Sequence, residues 1–343
     1  MRLEFRASIT IYIVMKWLNH ELYIEPIDCY IDPGRPVKRA IITHGHADHA
    51  RAGHGHVLAT PQTIDIMRAR YGAQCAGHFQ CLPFGEPLKI DDVKVTLYPA
   101  GHILGSAQVC LEYDGQRAVI TGDYKTHADN TAQRFELIQC DLFVTEATFG
   151  LPVFQHPKPQ SEIRRLLESI ATKTDRCHVI GAYALGKAQR VIKLLREAGY
   201  DAPIYLHGAQ DKLCDYYTSQ GVHLGDLRKA LDSEKDSFRG HVVIAPPSAL
   251  RDRWSRRLPD PVVCYASGWM TIKQRAKQSG VELPLVISDH ADWNELTETI
   301  TATGAQTIWV THGREDALVH WCRQRGLDAE PLYLQGREED SSE

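Results

Sequence analysis

The most informative part of the chain is Ile41-Ile42-Thr43-His44-Gly45-His46-Ala47-Asp48-His49. Four good metal ligands fall within six residues, directly after a short apolar segment typical of a buried strand. A loop at the end of a strand can curl so that His44 and His46 point one way while Asp48 and His49 point another. Neutral imidazoles combined with a carboxylate suit zinc, manganese or iron. The segment therefore predicts a metal-binding loop rather than a polar surface turn.

Two later segments have the same character. Ala100-Gly101-His102 and Thr121-Gly122-Asp123 each place one candidate ligand beside a glycine, where a predicted strand ends. Taken alone, each segment is better explained as an ordinary turn. Beside the histidine loop, they predict that His102 and Asp123 complete a metal site.

The composition limits the class of protein. With 343 residues, of which 43% are apolar, the chain can bury a large core and is expected to form two domains. The net charge of −4 excludes a general basic coat for nucleic acid, so a polyanion must be held by a local basic cleft or by metal. Nine scattered cysteines without a CxxC motif favour reduced thiols and a cytoplasmic protein.

The termini are the least informative parts of the chain. The apolar segment at residues 7–14 is too short to span a bilayer, so no membrane attachment is expected. Because the chain is domain-like from Met15 onward, residues 1–14 are either native or an extension from an upstream start. The tail at residues 337–343 is acidic and is expected to be frayed.

The order HxHxDH, a lone histidine and then Gly-Asp resembles the metallo-β-lactamase superfamily. The resemblance implies a first metal held by His44, His46, His102 and Asp123, and a second held by Asp48, His49 and Asp123, with Asp123 bridging. Ile31-Asp32-Pro33 resembles the first motif of the superfamily, which implies that Asp32 orients the loop; Asp28 is the alternative. Two metals about 3.5–4 Å apart suit in-line attack on phosphorus.

Three segments further along the chain resemble motifs A, B and C of the β-CASP nucleases. They are Asp141-Leu142-Phe143-Val144-Thr145-Glu146, Ser288-Asp289-His290-Ala291-Asp292 and Thr311-His312-Gly313-Arg314. The resemblance implies that His312 completes the second metal site and that His290 is a general acid near the leaving oxygen. Glu146 would accept the other N–H of His290 and keep it charged. The catalytic set is therefore Asp48, His290 and Glu146.

The predicted fold class is α/β, a metallo-β-lactamase αββα sandwich with an inserted β-CASP-like α/β domain. The candidate ligands at 44–123 and 290–312 flank a long gap, which indicates that one domain interrupts another. The expected boundaries are 1–155 for the first part of the metallo-β-lactamase domain, 156–282 for the insert and 283–343 for the second part with the tail. A strand is predicted at 285–288, and a helix is predicted from Asp292.

The substrate is predicted from two signals that conflict. A histidine in motif C, here His312, is usual in the RNA-processing members of the β-CASP group. The compact length and the run at residues 30–40 resemble instead the bacterial DNA-ligase-associated exonucleases. The favoured prediction is a zinc- or manganese-dependent DNA exonuclease of DNA repair, with an ATP-dependent DNA ligase and a helicase as partners. The alternatives are an RNA-processing nuclease, a non-catalytic scaffold subunit and a small-ester or thioester hydrolase.

Two groups of residues are candidates for holding the polymer. The densest basic run contains Arg251, Arg253, Trp254 and Arg256, a composition suited to tracking phosphates and stacking bases. The alternative is a solvated loop. Lys187 and Arg190, near the predicted start of a helix, are candidates for phosphate contact, against the alternative of a plain exposed helix face.

Overall fold

Two β-sheets face each other in the computed structural model, which describes residues 15–332. The predictions for residues 1–14 and for the acidic tail lie outside the described residues. The first elements are Tyr23–Ile24 (β1), Cys29–Ile31 (β2), Arg39–Ile41 (β3), His54–Ala59 (β4), Pro61–Tyr71 (α1), Ala76–Cys81 (β5), Pro87–Ile90 (β6), Val93–Pro99 (β7), Ala107–Tyr113 (β8), Gln116–Ile120 (β9) and Leu142–Ala147 (β10).

The second stretch of the chain alternates helices with short strands. Its elements are Pro159–Thr172 (α2), His178–Gly181 (β11), Lys187–Glu197 (α3), Ile204–Leu206 (β12), Asp211–Ser219 (α4), Leu227–Lys229 (β13), Val242–Ala245 (β14), Val262–Ala266 (β15), Lys273–Gln278 (α5) and Leu283–Leu285 (β16). The last elements are Trp293–Thr303 (α6), Thr307–Gly313 (β17), Glu315–Arg323 (α7) and Asp328–Pro331 (β18).

The two facing sheets form the centre of a four-layered arrangement. One sheet has five strands in the order β1-β2-β3-β4-β5, and the other has seven in the order β18-β17-β10-β9-β8-β7-β6. Apolar side chains such as Ile41, Val95 and Val109 fill the space between them. Helix α1 covers the outer face of the first sheet, and α6 and α7 cover the outer face of the second. This αββα layering confirms the predicted α/β fold class.

A third sheet is built entirely from parallel strands. Its six strands lie in the order β13-β12-β14-β11-β15-β16, and α2, α3 and α4 contribute apolar side chains to one of its faces. All its strands fall within residues 178–285. This interval overlaps the predicted insert at 156–282, but the exact domain boundaries stay a prediction.

The order of three parallel strands determines where the site lies. Strand β10 pairs in parallel with β9 on one side and with β17 on the other. The carboxyl ends of β9, β10 and β17 therefore meet at one edge of the seven-stranded sheet. In residues 15–332, no helix has the length and apolar character needed to cross a membrane.

Candidate metal centre

The predicted ligands follow the ends of strands that converge on this edge. The histidine loop follows β3, His102 follows β7 and Asp123 follows β9. His312 lies in β17 at a bulge, because Glu146 of β10 pairs with Thr311 while the next residue pairs with Gly313. His312 also has a φ of 57°, an uncommon backbone conformation for a residue with a side chain. Bulges of this kind re-aim a side chain, which explains how His312 turns toward the site.

Two clusters of ligand atoms result. The first cluster consists of His44, His46, His102 and Asp123, and the second consists of Asp48, His49 and His312. Within each cluster, the ligand atoms lie within 4.8 Å of one another. Asp123 lies between them, because one carboxylate oxygen is 3.4 Å from His44 Nε2 and the other is 3.4 Å from His49 Nε2. The structure thus brings together all seven residues that the sequence predicts as ligands. Their role in binding metal stays a prediction.

Backbone carbonyls orient two of the histidines. His46 Nε2 is 3.1 Å from the carbonyl of Leu185, and His102 Nδ1 is 2.9 Å from the carbonyl of Asp289. Because a carbonyl only accepts hydrogen bonds, these nitrogens carry the protons. The other nitrogens, His46 Nδ1 and His102 Nε2, lie 3.0 Å apart and present lone pairs to the cluster.

Asp32 orients the other two histidines of the loop. Its carboxylate is 2.8 Å from His49 Nδ1 and accepts hydrogen bonds from the amide (2.7 Å) and the hydroxyl (2.6 Å) of Thr43. Since that hydroxyl donates to Asp32, it accepts from His44 Nδ1, 3.0 Å away. His44 and His49 therefore both direct Nε2 toward Asp123. Asp28, the alternative to Asp32, is exposed and hydrogen-bonds to Tyr23.

The electrostatics of the site keep His46, His102, Asp48 and Asp123 in the protonation states that bind a cation, and His49 is the exception. Burial lowers the pKa of His46 to about 3 and holds that of His102 well below its usual range, so both are neutral at pH 7. Burial opposes ionisation of Asp48 and Asp123, but neighbouring histidines hold both carboxyl pKa values low, that of Asp48 at about 2. Against burial, the carboxylates of Asp123 and Asp48 raise the pKa of His49.

The donor set fits divalent cations. His49 Nε2 and Asp123 Oδ1 are buried and have no hydrogen-bond partner among the described residues. A buried polar atom without a partner is costly, and a cation between these atoms would remove that cost. The first cluster supplies three imidazole nitrogens and a carboxylate, a donor set that suits zinc, and the second cluster supplies two nitrogens and a carboxylate.

His290 and Glu146 form a pair beside the ligands. His290 Nδ1 is 2.9 Å from Glu146 Oε2 and 4.0 Å from Asp123 Oδ2. Burial would lower the pKa of His290, but the carboxylates of Glu146 and Asp123 raise it to about 9. Glu146 is itself fixed by the amide of Tyr124 at 2.7 Å. With Nδ1 bonded to Glu146, Nε2 is the nitrogen of His290 that is available to a substrate.

A cavity of about 330 Å³ opens onto these groups. Its polar lining includes His46, Asp48, His102, Asp123, His290 and His312. It is also lined by Phe149, Tyr183, Tyr265, Trp269, Met270 and Arg275, with the guanidinium of Arg275 4.1 Å from the centre of the Trp269 ring. Arg275, Phe149 and Trp269 lie outside the motifs described above, so no signal in the sequence pointed to them.

The two candidates on α3 are buried and form ion pairs. Lys187 Nζ is 3.0 Å from Asp289, and Arg190 lies 3.4 Å from Asp289 and 3.3 Å from Asp129. The alternative of a plain exposed helix face is therefore wrong, because both side chains are about 4% exposed. Only Lys187 reaches the wall of the cavity. Phosphate contact stays a prediction for both, and the geometry favours Lys187.

The basic run forms two short 3-10 turns, at Pro247–Arg251 and Arg253–Arg257. Arg251, Arg253 and Arg256 are exposed, whereas Trp254 packs against the apolar cluster beneath it and against the His207 ring. Arg251 also reaches the carbonyl of Gln278, a residue of the cavity wall, at 3.5 Å. The arginines remain candidates for nucleic-acid contact, and the half-buried Trp254 is a weaker one.

Several known proteins are similar to this chain in sequence. A protein named probable DNA ligase from Opitutus terrae is 31% identical over 92% of this chain and 31% of its own length. An RNase J-like protein from Methanocaldococcus jannaschii is 27% identical over 53% of this chain and 52% of its own length. Endoribonuclease YSH1 from Yarrowia lipolytica is 23% identical over 80% of this chain and 43% of its own length. The chain spans about a third to a half of these relatives. No family model matches it.

A solved structure is similar in fold. The crystal structure of a protein of unknown function from Enterococcus faecalis V583 has a TM-score of 0.57 and 12% sequence identity, covering 87% of this chain and 80% of that one. The layered sheets and the histidine loop define a member of the metallo-β-lactamase superfamily. Within that superfamily, the relatives place the chain in the β-CASP group, as the sequence motifs predicted.

Proposed function

We propose that the chain is a metal-dependent phosphodiesterase that digests DNA from an end. The observation that carries the proposal is the convergence of seven ligand side chains with the His290–Glu146 pair on one cavity. The first cation would be held by His44, His46, His102 and Asp123, and the second by Asp48, His49, His312 and Asp123. When bound, two such cations activate water and neutralise charge on the phosphate.

The side chains divide the proton transfers between them. Asp48 lines the cavity and is ionised at neutral pH, so it can accept a proton from the attacking water. His290 is positively charged and donates a proton to the departing sugar oxygen, which would otherwise leave as a costly alkoxide. Glu146 fixes the ring of His290 and stabilises its charge. Asp32 positions His49 directly, and positions His44 through Thr43.

The size of the cavity favours an end over a continuous strand. A volume of about 330 Å³ is near the lower limit for ligand sites and suits roughly one nucleotide. Trp269 and the other aromatic residues offer surfaces for a base, and Arg275 offers a positive charge for a phosphate. These features support exonucleolytic rather than internal cleavage.

The preference for DNA has one supporting observation. The relative from Opitutus terrae is named a probable DNA ligase, and it matches 92% of this chain with about a third of its own length. A segment of this kind within a ligase supports DNA repair as the setting and a DNA ligase as a partner. An ATP-dependent ligase, a helicase and a cytoplasmic location stay predictions from the sequence. The retention of every ligand in one place argues against a non-catalytic scaffold.

RNA is the second candidate substrate. His312 occupies the motif C position that is usual for RNA-processing members, and two relatives are named as an RNase J-like protein and an endoribonuclease. Cleavage of matched DNA and RNA oligonucleotides, labelled at either end and incubated with Zn²⁺ or Mn²⁺, separates the candidates. We expect stepwise shortening of DNA from one end. Cleavage of RNA alone, or cuts at internal positions, would contradict the proposal.

A further inference from the structure

Two histidines of the first cluster, His46 and His102, are oriented by backbone carbonyls of other connections, not of the loops that carry the histidines. The carbonyl that faces His46 belongs to Leu185, in the connection between β11 and α3. The carbonyl that faces His102 belongs to Asp289, in the connection between β16 and α6. The orientation of both rings therefore depends on how these two distant connections are held.

A buried cluster of ion pairs holds the two connections together. Lys187 Nζ and Arg190 Nη1 lie 3.0 Å and 3.4 Å from the two carboxylate oxygens of Asp289. Asp129 lies 3.3 Å from Arg190 and pairs with Lys125, so the cluster contains three basic and two acidic side chains. Its side chains are at most 8% exposed, so solvent does not screen them.

We propose that Lys187 and Arg190 are positioning residues that fix His46 and His102 by clamping the Leu185 connection onto Asp289. Lys187 lies two residues after Leu185, and the side chain of Asp289 belongs to the same residue whose carbonyl faces His102. Movement of either connection turns a ring away from the cluster. The inference rests on the proposed metal centre and names the part of the chain that maintains it.

The packing of Gly186 supports a close and specific contact. Gly186 has a φ of +87°, and a Cβ at this position would lie 2.3 Å from Ile103 Cγ2. Ile103 is the residue after His102, so the connection that carries Leu185 and the loop that carries His102 meet without space for a side chain between them. A clamp of this kind is effective because a metal ligand must be held within about 0.5 Å of its productive position.

The experiment compares metal binding by the full chain and three variants. The K187M substitution keeps the length of the side chain and leaves two basic and two acidic groups, so the cluster is charge-balanced. D289N keeps the backbone carbonyl but weakens both ion pairs. K193M is the matched control, because Lys193 lies on the same helix and, within residues 15–332, pairs only with Glu197, at 3.9 Å. Each metal-free protein is titrated with Co²⁺, and the visible absorption reports coordination.

We expect K187M and D289N to bind one of the two cations about ten- to a hundredfold more weakly, as is typical when support for a ligand is lost. The affinity of K187M for the other cation should equal that of the wild type, and so should the melting temperature of the metal-free protein. General unfolding would instead weaken the binding of both cations. K193M should bind like the wild type. Unchanged affinity of both K187M and D289N for both cations would overturn the inference.

The same titration separates this inference from the proposed function. A wild-type chain that binds two cations but cleaves no nucleic acid would reject the nuclease proposal and leave the clamp to be judged by the variants. A wild-type chain that cleaves DNA, with variants that bind metal normally, would reject the clamp alone.

Discussion

Asp123 is the residue that joins the two ligand clusters. Each of its carboxylate oxygens faces a histidine from a different cluster at 3.4 Å. The neighbouring histidines keep it ionised although it is buried. Asp123 therefore belongs to the first cluster and also faces the second.

We expect Asp123→Ala to lower the metal content from two cations per chain to less than one and to abolish cleavage. The physical reason is that a single substitution removes a carboxylate oxygen from each site. Metal analysis after gel filtration, together with a cleavage assay, tests this. Asp201→Ala is the matched control, because Asp201 is exposed and lies outside the cavity. Normal metal content and cleavage in Asp123→Ala would reject the bridging role.

The pH dependence of turnover reports on the His290–Glu146 pair. A general acid must be protonated, so activity is lost as the pH rises through its pKa. Burial lowers the pKa of His290, but the carboxylate of Glu146 is the largest influence that raises it. We expect Glu146→Gln to move the alkaline limb of the kcat profile to lower pH, with metal content unchanged.

Thr148→Val is the control for this shift. The hydroxyl of Thr148 is 3.4 Å from the same nitrogen of His290 but carries no charge. Its loss should leave the alkaline limb nearly in place. An alkaline limb in Glu146→Gln that coincides with that of the wild type would show that His290 does not act as the acid.

Among single residues, histidines and carboxylates within recognisable motifs were predictable from the sequence as candidates for the site. The HxHxDH run, His102, Asp123 and His312 are placed together as expected. The carbonyls of Leu185 and Asp289 were not predictable, because every residue has a carbonyl and only the fold decides which one faces a histidine. The burial of Arg190 was missed because its partners, Asp129 and Asp289, are far away in sequence.

At the scale of elements, helix α6 links the motif B loop to the loop after β9. The side chain of Asp292 caps the first turn of α6, and the carboxylate of Glu295 accepts a hydrogen bond from the amide of Asp292 in return. The carboxylate of Glu295 also accepts hydrogen bonds from the amides of Thr126 and His127, each at 2.9 Å. Burial opposes ionisation of Glu295, but hydrogen bonds from His127 and Thr126 lower its pKa to about 2.

We expect Glu295→Gln to lower the free energy of unfolding at pH 7 by about 2–3 kcal/mol. The pKa of a free glutamate is about 4.3, so the ionised group stabilises the fold above that pH. This contribution is lost as the pH falls toward about 2. The difference between wild type and variant in urea unfolding should therefore shrink in acid.

Glu298→Gln is the control for this prediction, since Glu298 lies on the exposed face of the same helix. It should unfold like the wild type at every pH. A difference between wild type and Glu295→Gln that stays constant from pH 7 to pH 2 would contradict the role of the charge.

Element boundaries were predicted less well where tertiary contacts set them. The strand predicted at 285–288 is wrong, because β16 is Leu283–Leu285. The chain leaves the sheet after Leu285, and the amide of Val286 donates to the buried carboxylate of Glu162 instead of to a strand. The apolar residues Val286 and Ile287 resemble a strand in sequence, and nothing local reveals the partner at Glu162.

At the scale of the molecule, the cavity depends on two regions that are distant in sequence. The candidate ligands come from residues 44–123 and 312, while Trp269 and Arg275, which also line the cavity, follow β15 of the parallel sheet. The layered α/β fold and the convergence of the candidate ligands were predictable from the sequence, because periodicity and motifs are local. The remaining lining of the cavity could not be predicted, because it depends on how the sheets pack.

The exposed basic run supplies a prediction about the salt dependence of binding. If Arg251, Arg253 and Arg256 contact phosphates, replacing all three with alanine should weaken DNA binding. It should also lower the magnitude of the slope of the logarithm of the binding constant against the logarithm of the salt concentration, by about 2 for single strands. Fluorescence anisotropy over a range of salt concentrations measures this. A triple alanine variant of the exposed Lys89, Lys94 and Arg228 is the charge-matched control. Equal slopes for the two variants would exclude the run from the binding surface.

We expect distant strand ends to hold two divalent cations side by side at the cavity. Anomalous X-ray diffraction from crystals of the full chain, recorded at the zinc and manganese edges, would locate these cations. We expect two anomalous peaks, one within the His44, His46 and His102 cluster and one within the Asp48, His49 and His312 cluster, with Asp123 between them. Crystals grown with metal present that show no anomalous peak at these residues would contradict this expectation.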